Sequence, residues 1–338
     1  MKKINVAVVG ATGAVGETMI SILQERNFPV GNLYPLASER SLGQEVSFNG
    51  ERIQVHNLDG FDFTQAQIAL FSAGASISAE YAPKAVDCGA IVIDNTSQFR
   101  YEEDIPLVVP EVNPHKISDY KHAGIIANPN CSTIQMVVAL KPIHDYAGIS
   151  RINVATYQSV SGTGKEAMKE LNLQTTALEK NDELSCNVYS KQIAFNVLPH
   201  IDIFMDNGYT KEEMKMVWET QKIFEDKQIM VNATTVRVPV YLAHSEAIHI
   251  ETKKKITVEQ ARDLMMRSPG IKIIDTRDEG GYPTAVTEGA GTDDVYVGRI
   301  REDISHPQGL NMWVVSDNLR KGAALNTIQI AEELISEF

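Results

Sequence analysis

Residues 4–26 read INVAVVGATGAVGETMISILQER. The opening apolar run, Ile4–Val9, predicts a buried strand. Gly10, Gly13 and Gly16 punctuate its end, and AVGETMISILQER reads as a helix behind them. Glycines let a backbone turn tightly and approach a pyrophosphate, and a helix N-terminus offers that anion its N–H groups and positive dipole end. The spacing is GxxGxxG, which departs from the GxGxxG dinucleotide fingerprint. By itself the loop is open between a nucleotide site and a tight turn that holds nothing. Its place, after an N-terminal strand and ahead of a helix, favours the nucleotide. Its candidate cofactor contacts are Gly10, Thr12, Gly13, Ala14, Val15 and Gly16.

Outward from this loop the alternation continues. GNLYPLASE (31–39), QIALFSAG (67–74), AIVIDNTS (90–97), LVVPEVN (107–113) and GIIANPN (124–130) are further apolar strands that break at Gly, Ser or Asn. Strand, helix, strand repetition with apolar strands predicts a parallel, doubly wound sheet. The middle of the chain differs. RINVATYQSV (151–160), TTVRVPVYLAHSEAIHIET (234–252), KKKITVEQARDLMM (253–266) and GLNMWVVSD (309–317) read as long, partly alternating strands. TKEEMKMVWETQKIFED (210–226) reads as a helix between them. Such alternation predicts a mixed or antiparallel sheet with one covered face, in a second domain of α+β type. The tail, 318–337, reads as one amphipathic helix. The expected division is 1–128 with 318–338, and 129–317.

The whole chain sets bounds on function. Its 338 residues exceed a single usual core, and 43% hydrophobic with 22% charged residues is an ordinary globular composition. Three cysteines without regular spacing give no disulfide framework and no metal pair, which favours a reducing, cytoplasmic compartment. The first apolar run is too short for the core of a secretion signal, and no segment reaches a membrane span. A net charge of −13 without a dense basic stretch argues against nucleic acid, yet leaves small anionic ligands open.

Two features bear on chemistry. In LASERSLG (36–43), Ser38, Arg40 and Ser41 could donate to a 2′-phosphate, whereas Glu39 could serve a ribose; the arginine and two hydroxyls favour NADP. In ANPNCSTIQMVVAL (127–140), Cys131 opens a helix whose dipole would favour its thiolate. The residues alone leave it open between a nucleophile and a packed thiol, and Cys88 and Cys186 read as inert core thiols. Backbone N–H groups at the start of the Cys131 helix are candidate oxyanion donors. A nucleophile needs a base. His244 lies seven residues beyond Arg237, and strand alternation would put the two on opposite faces unless a bulge or turn intervenes.

Several motifs together resemble the aspartate-semialdehyde dehydrogenase family, in its shorter bacterial branch. They are GATGAVG (10–16), DNTSQFR (94–100), NPNCST (128–133), TYQSVSGTGK (156–165), EEMKMVWETQKI (212–223), VRVPVYLAHSE (236–246) and VSDNLRKGAA (315–324), in the family's order. The resemblance implies a Rossmann-like dinucleotide-binding domain plus an α+β catalytic and dimerisation domain with a mixed sheet. It implies NADP(H) as cofactor, no metal, and a homodimer or dimer of dimers. The activity implied is reductive dephosphorylation of L-aspartyl-4-phosphate to L-aspartate 4-semialdehyde, in biosynthesis of lysine or diaminopimelate, methionine and threonine. Cys131 would be the acylated nucleophile, His244 the acid/base and Gln158 the orienting amide. Arg237 would clamp the α-carboxylate, Glu219 the ammonium, and Arg100 with Lys222 the phosphate. Ser161, Gly162 and Asn318 would face the nicotinamide side.

Side-chain chemistry fits these roles. Arginine's planar fork suits carboxylate and phosphate, and Glu219 and Lys222, three apart on a helix, share a face. Without the resemblance they read equally as a surface ion pair, and Arg100 as a solvated strand-end residue. Two rivals stand beside this reading. Another phosphorylating semialdehyde dehydrogenase, such as acetylglutamyl-phosphate reductase, shares the logic but binds an acylated amine, which an anion at Glu219 disfavours. A nucleotide-sensing scaffold would have an inert Cys131.

Overall fold

A computed structural model describes residues 3–336. The chain forms two compact units. One holds the residues up to Pro129 together with those from Ala323 onward; the other runs Asn130–Gly322.

The first unit begins with β1 (Ile4–Val9), α1 (Ala14–Glu25) and β2 (Val30–Ala37). A hairpin of β3 (Glu45–Phe48) and β4 (Glu51–Gln54) follows, then β5 (His56–Asn57), β6 (Ile68–Phe71), α2 (Ala75–Asp87), β7 (Ile91–Asp94) and β8 (Ile125–Ala127). Six strands make one parallel sheet in the order β5-β2-β1-β6-β7-β8. The chain leaves β1 for β2 on one side and returns to β6 on the other. In such sheets the crevice for a ligand lies at that reversal, beyond the strands' carboxyl ends. The sheet's Val6, Val8, Ile68 and Leu70 are fully buried with Ile22 and Leu23 of α1 and Ile328 and Leu334 of the C-terminal helix, Leu325–Ser336.

The second unit runs α3 (Cys131–Ala147), β9 (Ile149–Gln158), α4 (Lys165–Lys180), α5 (Lys211–Ile223), β10 (Met230–Arg237) and β11 (His244–Thr252). It closes with α6 (Val258–Met266), β12 (Ile271–Ile273), β13 (Val295–Glu302) and β14 (Gly309–Ser316). Its six-stranded sheet has the order β10-β9-β11-β14-β13-β12 and is mixed, with β10 and β12 parallel to their neighbours and the other pairs antiparallel. On β9, residues 152, 154, 156 and 158 are buried and their neighbours less so, the pattern of one covered face. α3 is buried on nearly every side from Ser132 to Leu140 and packs on this sheet and against α5 and α6. The stretch is mostly apolar but includes the buried polar side chains of Ser132, Thr133 and Gln135, and its first turn carries Cys131.

Several expectations fail for local reasons. Residues 107–113 are not a strand; only Leu107 bridges to Ala127. Pro110 has no N–H to give a ladder, and the Asn113 side chain satisfies Val109 N–H and the Leu107 carbonyl instead. The expected strand 253–266 is largely helix α6, started by a capping box between Thr257 and Gln260. Residues 234–252 are two strands, parted at Pro239 and at Ala243, whose φ is +67°. The tail is an α-helix only from Leu325, after a π turn at Arg320–Ala324. Its residue 337 lies outside the described residues. Cys88 and Cys186 are exposed, not packed: one ends α2 and the other lies in the loop after α4.

Candidate active site

In the first unit a cavity of about 490 Å³ opens at the sheet's reversal, lined by Gly10, Thr12, Gly13, Ser38, Glu39 and Ser41 among others. Gly10 has φ +90°, and a Cβ there would stand 3.0 Å from Ala73 N. A Cβ on Gly16 would collide with the Gly10 carbonyl. The turn is therefore closed to larger residues, and the N-terminus of α1, at Ala14, follows it directly. Val15 is partly buried against the core of this unit. The Thr12 and Ser41 hydroxyls lie 3.1 Å apart and join the glycine loop to the turn after β2. Arg40 is exposed on that turn and is not on the cavity wall, whereas Glu39 is. Arg100, also in this unit, is buried, and its Nη2 donates to the Asn95 carbonyl at 3.0 Å.

In the second unit the end of β9 gathers the other expected residues. β10 lies parallel to β9 with Arg237 beside Gln158, and β11 lies antiparallel on the opposite edge with Ser245 beside Tyr157. The chain between β10 and β11 therefore crosses the end of β9, and Arg237 and His244 meet there from opposite sides. Arg237 Nη1 donates to the Ser159 carbonyl at 2.7 Å. The Ser159 N–H donates to His244 Nδ1 at 3.0 Å, and its hydroxyl lies 3.1 Å from the same nitrogen. A backbone N–H can only donate, so Nδ1 is the acceptor and the neutral ring carries its proton on Nε2. Nε2 has no hydrogen-bond partner among the described residues. Gly162 covers it: a Cβ there would lie 3.5 Å from Nε2 and 3.1 Å from Arg237 Nη1. Burial, with the Arg237 guanidinium beside it, pushes the His244 imidazolium down to about 3. Asn318 knits the turn together; its Oδ1 accepts from the Ser159 and Ser161 hydroxyls and from Ala243 N–H at 3.0–3.1 Å.

Cys131 is the first residue of α3 and is partly exposed. Asn130 caps the helix, its Oδ1 accepting from Ser132 and Thr133 N–H. These two N–H groups are thereby occupied, which removes them from the expected oxyanion donors. The Asn130 N–H donates to Glu219 Oε2 at 2.6 Å, so Glu219, fully buried on α5, lies next to the start of the Cys131 helix. Lys222, one turn on, is half-buried. Gly322 presses on the thiol's own carbon, since a Cβ there would stand 2.8 Å from Cys131 Cβ.

The same chain geometry is found in known proteins. Residues 5–120 match the semialdehyde dehydrogenase NAD binding domain, and 140–321 match the semialdehyde dehydrogenase dimerisation domain. The aspartate-semialdehyde dehydrogenase of Shewanella violacea is 62% identical over 337 residues, covering 100% of this chain and 99% of the relative. The chain belongs to the aspartate-semialdehyde dehydrogenase family. That of Legionella pneumophila is 61% identical over 100% of this chain and 97% of its own. The aspartate semialdehyde dehydrogenase II of Vibrio cholerae, solved in complex with ASA, has a TM-score of 0.98 at 58% identity, with both chains covered completely.

Within this family frame, the sequence reading missed residues that lie among the expected ones. Glu212 accepts from Asn130 Nδ2 at 2.9 Å and from Gln158 Nε2 at 3.1 Å, both on Oε1, and from Lys215 at 2.9 Å on Oε2. Burial pushes its carboxyl up, but the Lys215 ammonium and these hydrogen bonds outweigh burial and hold it at about 2. Glu246 is two residues from His244 on β11, fully buried, with the Gln135 side chain of α3 against it; burial raises its carboxyl well above the usual range. The only available signal was a carboxylate inside EEMK and another inside HSE, which by themselves read as solvated charges.

Proposed function

We propose that this chain catalyses NADPH-dependent reductive dephosphorylation of L-aspartyl 4-phosphate to L-aspartate 4-semialdehyde through a thioester on Cys131. The observation that carries the reading is the hydrogen-bonded set around the end of β9. Asn130, which caps the Cys131 helix, and Gln158 share one carboxylate oxygen, and Ser159 holds both Arg237 and His244. Cys131 as thiolate, favoured by the α3 N-terminus, displaces phosphate from the acyl carbon. A nicotinamide cofactor, when bound, would supply the hydride that reduces the thioester, and Cys131 would leave as thiolate when the aldehyde forms. His244 holds its proton on Nε2, directed at the charge that develops on the substrate oxygen, and exchanges it there. Gln158 orients that oxygen. Arg237 clamps the α-carboxylate, and Glu219, the buried anion beside Cys131, takes the ammonium. Arg100 and Lys222 hold phosphate.

The glycine loop, with its tight N–H-lined turn, fits a dinucleotide pyrophosphate. Ser38 and Ser41 on the cavity wall, with Arg40 on the same turn, support NADP, although Glu39 shares that wall. Ser161, Gly162 and Asn318 form the turn assigned to the nicotinamide side. The dimerisation-domain match supports a homodimer or a dimer of dimers. Family membership supports a cytoplasmic place in lysine, methionine and threonine biosynthesis; among the described residues no helix is long and apolar enough to cross a membrane. The test is NADPH formation from L-aspartate 4-semialdehyde with phosphate titrated. Turnover should require phosphate and vanish in Cys131→Ala while nucleotide binding persists; turnover without the thiol refutes the mechanism.

A further inference from the structure

Asn130 and Gln158 each end in an amide whose two faces are nearly the same shape but opposite in hydrogen-bonding sense. Which way each amide points decides what it can do. Asn130 must present Oδ1 to Ser132 and Thr133 N–H if it is to cap α3. Gln158 is less constrained by its strand neighbour. Its Oε1 lies 3.0 Å from the Thr156 hydroxyl, and a hydroxyl would serve either end of the amide. The discriminating partner of Gln158 is Glu212, whose carboxylate can only accept.

From this geometry we infer that Glu212 is a positioning residue, a fixed buried anion that locks the Asn130 and Gln158 amides in their working orientations. Turning Asn130 over would set its oxygen against the carboxylate and its NH₂ against two N–H donors. Turning Gln158 over would set oxygen against the same carboxylate atom. With Nε2 held on Glu212, its second N–H remains as the donor Gln158 can offer substrate, beside the lone pair that Thr156 leaves on Oε1. The anion itself is held in place. Glu212 lies in the first turn of α5, where the helix dipole favours a carboxylate, and Lys215 bridges it to Asp202 at 2.9 and 2.7 Å. Its carboxyl, held at about 2, stays ionised throughout the working range.

The inference rests on the proposed function for Gln158, but its test does not depend on turnover alone. Glu212→Gln keeps the shape and removes the acceptor-only character. Two readouts follow. The kcat for semialdehyde oxidation should fall about 10- to 100-fold, since misorienting a positioning group costs up to that order. In a Gln158→Ala background the same substitution should cost less than it does in the parent, because one of the two amides it orients is gone while Asn130 remains. Alkylation of Cys131 by iodoacetamide, followed against pH with no substrate present, should move to higher pH as the cap loosens. Asn130→Asp places carboxylate against carboxylate and should lose activity and stability, whereas Asn130→Asp combined with Glu212→Gln restores a donor–acceptor pair and should recover folding and the alkylation profile. Losses that multiply fully in the Gln158→Ala background, with an unmoved alkylation profile, overturn the inference, as does a failure of the combined variant to improve on Asn130→Asp. If the wild type alkylates as described but shows no phosphate-dependent turnover, the proposed function has failed and the lock on Asn130 has not.

Discussion

Gly322→Ala is a one-methyl test of how tightly Cys131, the proposed nucleophile, is placed. Gly322 has no left-handed φ, so alanine adopts its backbone without strain and the effect is steric alone. The new Cβ would stand 2.8 Å from Cys131 Cβ and 3.3 Å from its Cα. Carbon atoms settle at about 3.5–4.0 Å, so the contact must open by about 0.7 Å. Neither side yields freely. Cys131 is fixed by the Asn130 cap and by the Asn130 N–H on Glu219, and the turn before Gly322 is fixed by Asp317, which accepts from Leu319 and Arg320 N–H. If the shift is shared, Cys131 moves about 0.35 Å; if the turn holds, it moves the full 0.7 Å. Misplacement of about 1 Å costs roughly 10²-fold, so with the free-energy cost scaled in proportion to distance these limits give about a 5- to 25-fold loss in kcat/KM. Overpacking of this kind destabilises by about 1–3 kcal/mol. The assay is steady-state semialdehyde oxidation with both substrates varied, beside nucleotide binding to the first unit's cavity, which should not change. A kcat/KM within twofold of the parent would refute the claim that the Gly322 contact sets the position of Cys131.

Three further outcomes are expected. Arg237→Leu should raise the His244 imidazolium from about 3 partway toward its ordinary 6.5, because burial is the larger cause and remains; a ring-proton titration that does not move contradicts the pairing. Glu246→Gln should stabilise the protein increasingly as pH rises. Glu246 is held neutral in the fold but ionises near 4.5 when unfolded, so the parent loses up to about 1.4 kcal/mol per pH unit above that value, and denaturation midpoints at about pH 5.5 and 7.5 should diverge in the variant's favour. Arg40→Ala should weaken NADP and spare NAD; equal losses for both would assign the arginine to the turn and not to the 2′-phosphate.

The first unit was legible because its signals are local. An apolar strand, a glycine turn and a helix follow one another within 4–26, and each parallel strand needs only an apolar run between breakers. What failed there was a run whose composition is strand-like but whose backbone is claimed by a side chain, as Asn113 claims Val109 and Leu107. In the second unit the capping box at Thr257 was visible in the sequence and should have outweighed the β-branched residues around it. The Cys131 helix was legible from the apolar positions that follow the cysteine, and its dipole logic from its place at the helix start; the Asn130 cap was not. Its polar neighbours Glu212 and Glu246 were not, because a carboxylate in a sequence carries no mark of burial.

The pairing of Arg237 with His244 shows where alternation stops being informative. Seven residues along one strand would place them on opposite faces, and that inference is correct for a single strand. Their meeting depends on β10 and β11 being separate neighbours of β9, one parallel and one antiparallel. Ala243, left-handed at φ +67°, directly precedes β11, and its N–H donates to Asn318. Asn318 in turn holds Ser159, the residue whose N–H takes His244 and whose carbonyl takes Arg237. The two strands are thus fastened at one point of β9 by a residue more than 70 positions further along the chain. Spacing between Arg237 and His244 could not reveal this, because the quantity that decides it is the strand order of the sheet. The two side chains are brought together by long-range pairing, and the site is a property of the assembled sheet end and not of any one segment.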